Sequence, residues 1–219
     1  MREGFERHES NGAIGIPGHK SMSLLAGPVC LLSHCCRIVM LDKDVEYSVE
    51  YYSADSDPAR VGEHNPYGET PTLVDRELSL YDPAVIVEYL DERFPHPPLM
   101  PVDPITRAKT RLMISRLTRD WLKPISDLGD SISVAVPAEL AKSVHDGLVA
   151  LSPLFNEQAY FLGNEYTLVD AYMAPLLWRV PSLGIELPKQ TAPLNSYADR
   201  LFKRTGFTDS LSPVQAEMR

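Results

Sequence analysis

The chain has 219 residues, 44% of them hydrophobic and 23% charged, with a formal net charge of −9. That length suits one large domain or two small ones, and no apolar run approaches the roughly 20 residues a bilayer span requires, which excludes a helical membrane protein. Residues 1–100 hold 17 acidic side chains against 8 basic ones and carry the whole acid excess, a balance that argues against direct nucleic-acid binding and reads either as a solvated face or as a docking face for a basic protein.

Met1 to Ser21 are polar and Gly-rich without apolar periodicity, so residues 1–21 are expected to be a disordered or non-native leader, with Met22 a candidate natural start. Met22 to Ala26 reads as a strand, broken by Gly27-Pro28. Leu31 to Lys43 follows as a helix with Leu32, Cys36, Val39 and Met40 in helical spacing. In Val45 to Tyr52 the residues Val45, Tyr47, Val49 and Tyr51 alternate with polar ones, the period of a half-buried strand. Asp57-Pro58 opens a short helical segment that ends near Asn65-Pro66.

Thr72 to Val74 and Leu78 to Tyr81 form a predicted hairpin across Asp75-Arg76-Glu77. Asp82 is a predicted helix cap with Pro83 at the first helical position, and Val85, Ile86, Tyr89, Leu90 and Phe94 mark the inward face of a helix that Pro95 stops. Residues 22–94 thus read β-α-β-α-β-β-α. Residues 95–104 are a Pro-rich linker, and residues 105–219 are helical throughout, with helices expected at Ile105 to Leu128, Pro137 to Leu154, Leu168 to Leu183, Pro193 to Arg204 and Pro213 to Met218.

Two motifs stand out. In Glu69-Thr70-Pro71-Thr72-Leu73-Val74 a proline begins a strand, where a cis bond is tolerable and would turn the Thr70 backbone towards a thiol-bearing ligand; the alternative is an ordinary strand-initiating proline. Thr167-Leu168-Val169-Asp170 fits a capping box with Asp170 in place of the usual Glu, a structural role.

With these motifs the chain resembles the cytosolic glutathione S-transferase fold over about Met22 to Met218. More narrowly, Val74-Asp75-Arg76-Glu77-Leu78, the stretch from Glu88 to Val102 and Ala174-Pro175-Leu176-Leu177-Trp178-Arg179 are similar to the stringent starvation protein A family. The resemblance implies a thioredoxin-like N-terminal domain joined to an all-helical domain, in a homodimeric cytoplasmic protein. It further implies association with RNA polymerase holoenzyme and regulation of transcription under starvation or acid stress, with no cofactor and no ordinary transferase activity.

The residues bear on that implication in both directions. Related transferases hold the γ-glutamyl end of glutathione with an acid followed by Ser; here the pair is Asp82-Pro83, and Pro offers neither N–H nor hydroxyl. Thr70, Pro71 and Asp82 are then vestigial glutathione-site positions. Cys30 argues the other way, because Cys30-Leu31-Leu32-Ser33 places a thiol near a helix N-terminus that favours a thiolate. It reads either as the nucleophile of a glutathione-dependent thiol transferase, with Thr70 as a backbone ligand and Asp82 for the γ-glutamyl amine, or as buried packing beside Val29 and Leu31.

His34-Cys35-Cys36 carries no metal reading, since adjacent helical residues diverge by about 100°. The three cysteines, two of them adjacent (Cys35 and Cys36), give no even framework of spaced disulfide pairs, which fits a reducing compartment. Pro95-His96-Pro97-Pro98 is either a stiff linker or a preordered extended segment presenting His96. The resemblance selects the second and makes Pro95, His96 and Pro97 the partner-binding residues. Asp103, where a close relative carries an aromatic residue, is a departure beside that motif.

Overall fold

The computed structural model describes residues 22–218 except 54, 55, 57, 130, 133 and 134. The expected leader over 1–21 and Asp57, expected with Pro58 to open a helical segment, lie outside the described residues. The most apolar strand takes the most covered place: β1 (Met22–Ala26) is buried between two neighbours. It pairs in parallel with β2 (Tyr47–Tyr51) and antiparallel with β3 (Thr72–Asp75), and β3 pairs antiparallel with β4 (Leu78–Leu80), giving the order β2-β1-β3-β4. The β3–β4 turn is made by Arg76 and Glu77, with Arg76 at φ +60.

Around the sheet run α1 (Leu31–Asp42), α2 (Pro58–Gly62) and α3 (Pro83–Arg93), in the β-α-β-α-β-β-α order the sequence predicts. Two local expectations are corrected. The second strand starts at Tyr47 rather than Val45, because α1 ends in a turn where Asp44 takes φ +51 and the Val45 N–H bonds the Met40 carbonyl at 2.9 Å. On α3 the inward residues are Ile86, Val87 and Leu90, while Val85 is 51% exposed.

The helical half is α4 (Pro104–Leu117), α5 (Lys123–Ser126), α6 (Ala138–Leu151), α7 (Leu168–Arg179), α8 (Ala192–Phe202), α9 (Thr205–Thr208) and α10 (Pro213–Ala216). The predicted helix over 105–128 is a rod interrupted by a π-helical turn at Thr118–Leu122, where the Lys123 N–H reaches back five residues to the Thr118 carbonyl. Pro124 explains the widening, since it cannot donate to the carbonyl four residues earlier and its ring would crowd it. The sequence did not foretell α9. Among the described residues no helix is long and apolar enough to cross a membrane.

Helix α1 packs on α3 on one side and on α5, α7 and α9 on the other, so Leu31 to Met40 are buried on every face. A helix in that position must satisfy its polar side chains internally. His34 Nε2 lies 2.8 Å from Ser210 Oγ. Arg37 Nε donates to the Ser210 carbonyl at 2.7 Å, and Arg37 Nη2 donates to Gln215 Oε1. The segment after α9 therefore straps the two halves together.

Burial, with the Arg37 guanidinium beside it, holds the His34 imidazole well below its ordinary pKa. The folded protein keeps His34 neutral where the unfolded chain protonates it, so stability is lost as pH falls through the unfolded value. The loss attributable to His34 is expected to be about 1.4 kcal/mol for each pH unit below about 6.5. Urea unfolding at pH 7, 6 and 5 on the native chain and His34→Gln checks it: the native profile should fall more steeply, and parallel profiles would refute it.

Candidate functional site

A cleft of about 860 Å³ opens between the sheet half and the α4–α5 rod. Cys30, Glu69, Thr70 and Asp82 line one wall, and Arg111, Thr118, Arg119 and Lys123 line the other. Tyr67 and Tyr81 meet edge to face at 5.8 Å between ring centres beside it. The structure thus brings three sequence-predicted positions together, Cys30, Thr70 and Asp82. Pro71 follows a cis Thr70–Pro71 bond and is buried behind the wall.

Cys30 is the N-cap of α1, its Sγ accepting the Ser33 N–H at 3.4 Å, and the residue is 9% exposed. The Leu31 N–H beside it donates to Ser126 Oγ at 3.2 Å, so one donor at this helix start is occupied by the helical half. Gly27 permits the approach of these pieces: a Cβ there would lie 2.8 Å from Cys30 Cβ and 3.2 Å from Thr70 Oγ1. Asn65, which the sequence reading missed, shapes the facing loop by donating to the Glu69 carbonyl at 2.7 Å and accepting the Tyr67 N–H at 2.9 Å. Its signal was the Asn65-Pro66 turn.

At the start of α3 residues 83–86 leave no backbone donor over. Pro83 has no N–H, the Ala84 and Val85 N–H groups both bond Asp82 Oδ1 at 2.9 and 3.0 Å, and the Ile86 N–H bonds the Asp82 carbonyl at 2.9 Å. A helix N-terminus binds an anionic ligand through such groups, and here they are consumed by the chain itself. The cations across the cleft are likewise paired. Arg111 forms a bidentate bridge to Glu88 at 2.8 and 2.6 Å, and Lys123 pairs with Asp127.

The His34-Cys35-Cys36 triplet is dispersed. His34 engages Ser210, and burial pushes the Cys35 and Cys36 thiols far up, which keeps both as neutral core groups.

Pro95, His96, Pro97 and Pro98 form an exposed loop outside the cleft. The groups that fix its base are residues the sequence reading did not single out. Lys43, fully buried at the end of α1, pairs with Asp91 of α3 at 2.6 Å and donates to the Pro97 carbonyl. Asp91 accepts the Leu99 and Met100 N–H groups at 2.8 and 3.1 Å, and the Leu99 carbonyl accepts the Leu168 N–H of α7 at 2.9 Å. Asp103 caps α4, accepting the Thr106 N–H and hydroxyl at 2.8 Å each, so the departure from a relative's aromatic residue has a structural use.

Residues 29–93 match the glutathione S-transferase N-terminal domain family, and residues 130–205 match the glutathione S-transferase C-terminal domain family. The stringent starvation protein A homolog of Histophilus somni is 41% identical over 194 residues, 88% of this chain and 91% of that one. The chain belongs to the stringent starvation protein A family. A second member, from Coxiella burnetii, is 40% identical over 199 residues, covering 90% of this chain and 95% of its own. The fold of this member of the stringent starvation protein A family is that of the glutathione S-transferases: a crystal structure of one from Rhodospirillum rubrum F11 superposes with a TM-score of 0.75 at 20% identity, over 87% of this chain and 92% of that chain.

Proposed function

We propose that the protein is an RNA polymerase holoenzyme-associated regulator of transcription in starvation or acid stress, acting as a homodimer and without ordinary glutathione transferase activity. The observation that carries the reading is the contrast between cleft and loop. The Ala84 and Val85 N–H groups at the start of α3 and the cleft's Arg111 and Lys123 cations are satisfied from within, whereas the Pro95–Pro98 loop presents His96 to solvent on a base fixed by buried groups. A loop already in shape loses little entropy on binding, which suits Pro95, His96 and Pro97 to a partner surface. The partner identity comes from the family resemblance.

The cleft chemistry gives an expected negative result. With the Ala84, Val85 and Ile86 donors consumed and none at Pro83, glutathione should bind no more tightly than millimolar, and no thiol transfer should be detectable. Calorimetry with glutathione beside a thiol-transfer assay checks this. Sub-millimolar affinity, or turnover abolished by Cys30→Ser, would favour the rival reading of a glutathione-dependent thiol transferase. That reading is supported by Cys30 capping α1 inside the cleft, beside Thr70.

The homodimer reading is supported by exposed apolar side chains on α3 and α4. Val85 on α3 is accompanied by Ile105 and Leu112 on α4, 67% and 63% exposed. Large apolar side chains left in water on adjoining helices mark association surfaces. Light scattering at micromolar concentration should give twice the 24.5 kDa chain mass, with Leu112→Glu shifting it towards the monomer; a native mass near 24.5 kDa would refute the dimer.

A further inference from the structure

The Lys43–Asp91 pair sits beneath the exposed proline loop yet has almost no surface of its own. Side-chain exposure is 0% for Lys43 and 10% for Asp91. Burying two ions is costly, and a buried pair persists where hydrogen bonds use up its remaining capacity. Here they do so in one direction only, towards the linker. The ammonium that meets Asp91 at 2.6 Å also takes the Pro97 carbonyl, and the two Asp91 oxygens take the Leu99 and Met100 N–H groups at 2.8 and 3.1 Å. The pair thereby holds three points, Pro97, Leu99 and Met100, of a segment whose prolines cannot form a ladder or helix of their own.

The other anchors of the segment point to the same use. Leu99 and Met100 are buried, and the Leu99 carbonyl is tied to the first residue of α7, so the chain on the far side of the loop is fixed. On the near side α3 ends at Arg93, and between these anchors only Pro95 to Pro98 face solvent in a run. Lys43 also lies at the C-terminal end of α1, where the helix dipole favours a cation. One ion pair therefore joins the ends of α1 and α3 to the base of the loop.

We infer that Lys43 and Asp91 are positioning residues for partner recognition: they set the shape in which Pro95, His96 and Pro97 meet a partner without touching it. This rests on the polymerase-binding reading above, and the test separates the two. Lys43→Met is made in the full-length protein, with Asp91→Asn as a second, near-isosteric variant that decides the outcome if the first does not fold. Val144→Ala, buried on α6 far along the chain from the loop, serves as a control for general destabilisation.

Two readouts are taken: amide hydrogen exchange at Leu99 and Met100, and retention of purified RNA polymerase holoenzyme. The inference expects exchange at both amides to accelerate at least tenfold in the clamp variants, and polymerase retention to fall at least tenfold with no exposed side chain of the loop altered. The Val144→Ala control should leave both readouts near native. Unchanged exchange overturns the clamp. Accelerated exchange with native retention, or an equal loss of retention in the control, overturns its role in recognition. A native protein that retains no polymerase overturns the functional reading, and with it the recognition role, while the exchange readout then decides the clamp alone.

Discussion

Replacing Pro95, His96 and Pro97 together by alanine is expected to reduce RNA polymerase retention by at least tenfold while leaving the melting temperature within a few degrees of native. The three side chains are exposed, and surface changes away from caps and buried networks usually cost within about ±0.5 kcal/mol each. The Pro97 carbonyl, which Lys43 uses, belongs to the backbone, so the substitutions delete no group of the buried pair. What changes is the complex. Alanine frees φ at two positions, restoring entropy of about 1–2 kcal/mol per residue at most that binding must remove, and the loss of the imidazole deletes a donor and acceptor. A tenfold loss corresponds to about 1.4 kcal/mol, well within those terms. Native retention would remove the motif from the contact, and lost retention with a collapsed melting temperature would make it structural.

Asp170→Ala is expected to have the largest effect on folding, about 3 to 5 kcal/mol in urea unfolding, a large part of the 5–15 kcal/mol that natural domains possess. The carboxylate accepts four hydrogen bonds. Phe161 N–H and Tyr197 hydroxyl reach Oδ1 at 2.9 and 2.7 Å, while Thr167 N–H and hydroxyl reach Oδ2 at 2.8 and 3.1 Å. Removing it strands buried donors, each at about 1–3 kcal/mol, besides losing the cap of α7. Burial pushes the Asp170 carboxyl up while these donors act in the opposite sense, so the site is a tightly satisfied polar hub rather than a reactive acid. Thr167→Ala, which leaves the carboxylate in place, should cost only about 1 kcal/mol. Equal costs for the two substitutions would contradict the hub.

The Asp170 box was legible because its signal is local: a hydroxyl and an acid three residues apart before an apolar run. The Asp82-Pro83 helix start and the succession of strands and helices along residues 22–94 were legible for the same reason. The phase of α3 was not, because Val85-Ile86-Val87 are three consecutive branched apolar residues that define no unique face; contact with α1 selects Ile86, Val87 and Leu90. The π-helical turn at Thr118–Leu122 follows from Pro124, a residue that the helical pattern absorbed without a break. Helix α9, four residues long, is shorter than any period that would reveal it.

At the candidate site the sequence exposed the side chains that look chemical, Cys30, Thr70, Asp82 and His96, and hid those that arrange them. Leu31 and Ser126 are 95 residues apart, Arg37 and Gln215 178 apart, and Lys43 and Pro97 54 apart. A lysine and an aspartate in an acidic, polar half resemble solvated surface, and only the fold reveals them as a buried pair. The same holds for Arg37, whose burial depends on a strap at the far end of the chain.

The most direct measurement is retention of RNA polymerase by the immobilised full-length protein, with core enzyme and with holoenzyme containing σ factor, beside thiol-transfer turnover on the same preparation. The account predicts stable retention of holoenzyme and no turnover. No retention of either form, together with glutathione-dependent turnover that Cys30→Ser removes, would contradict it.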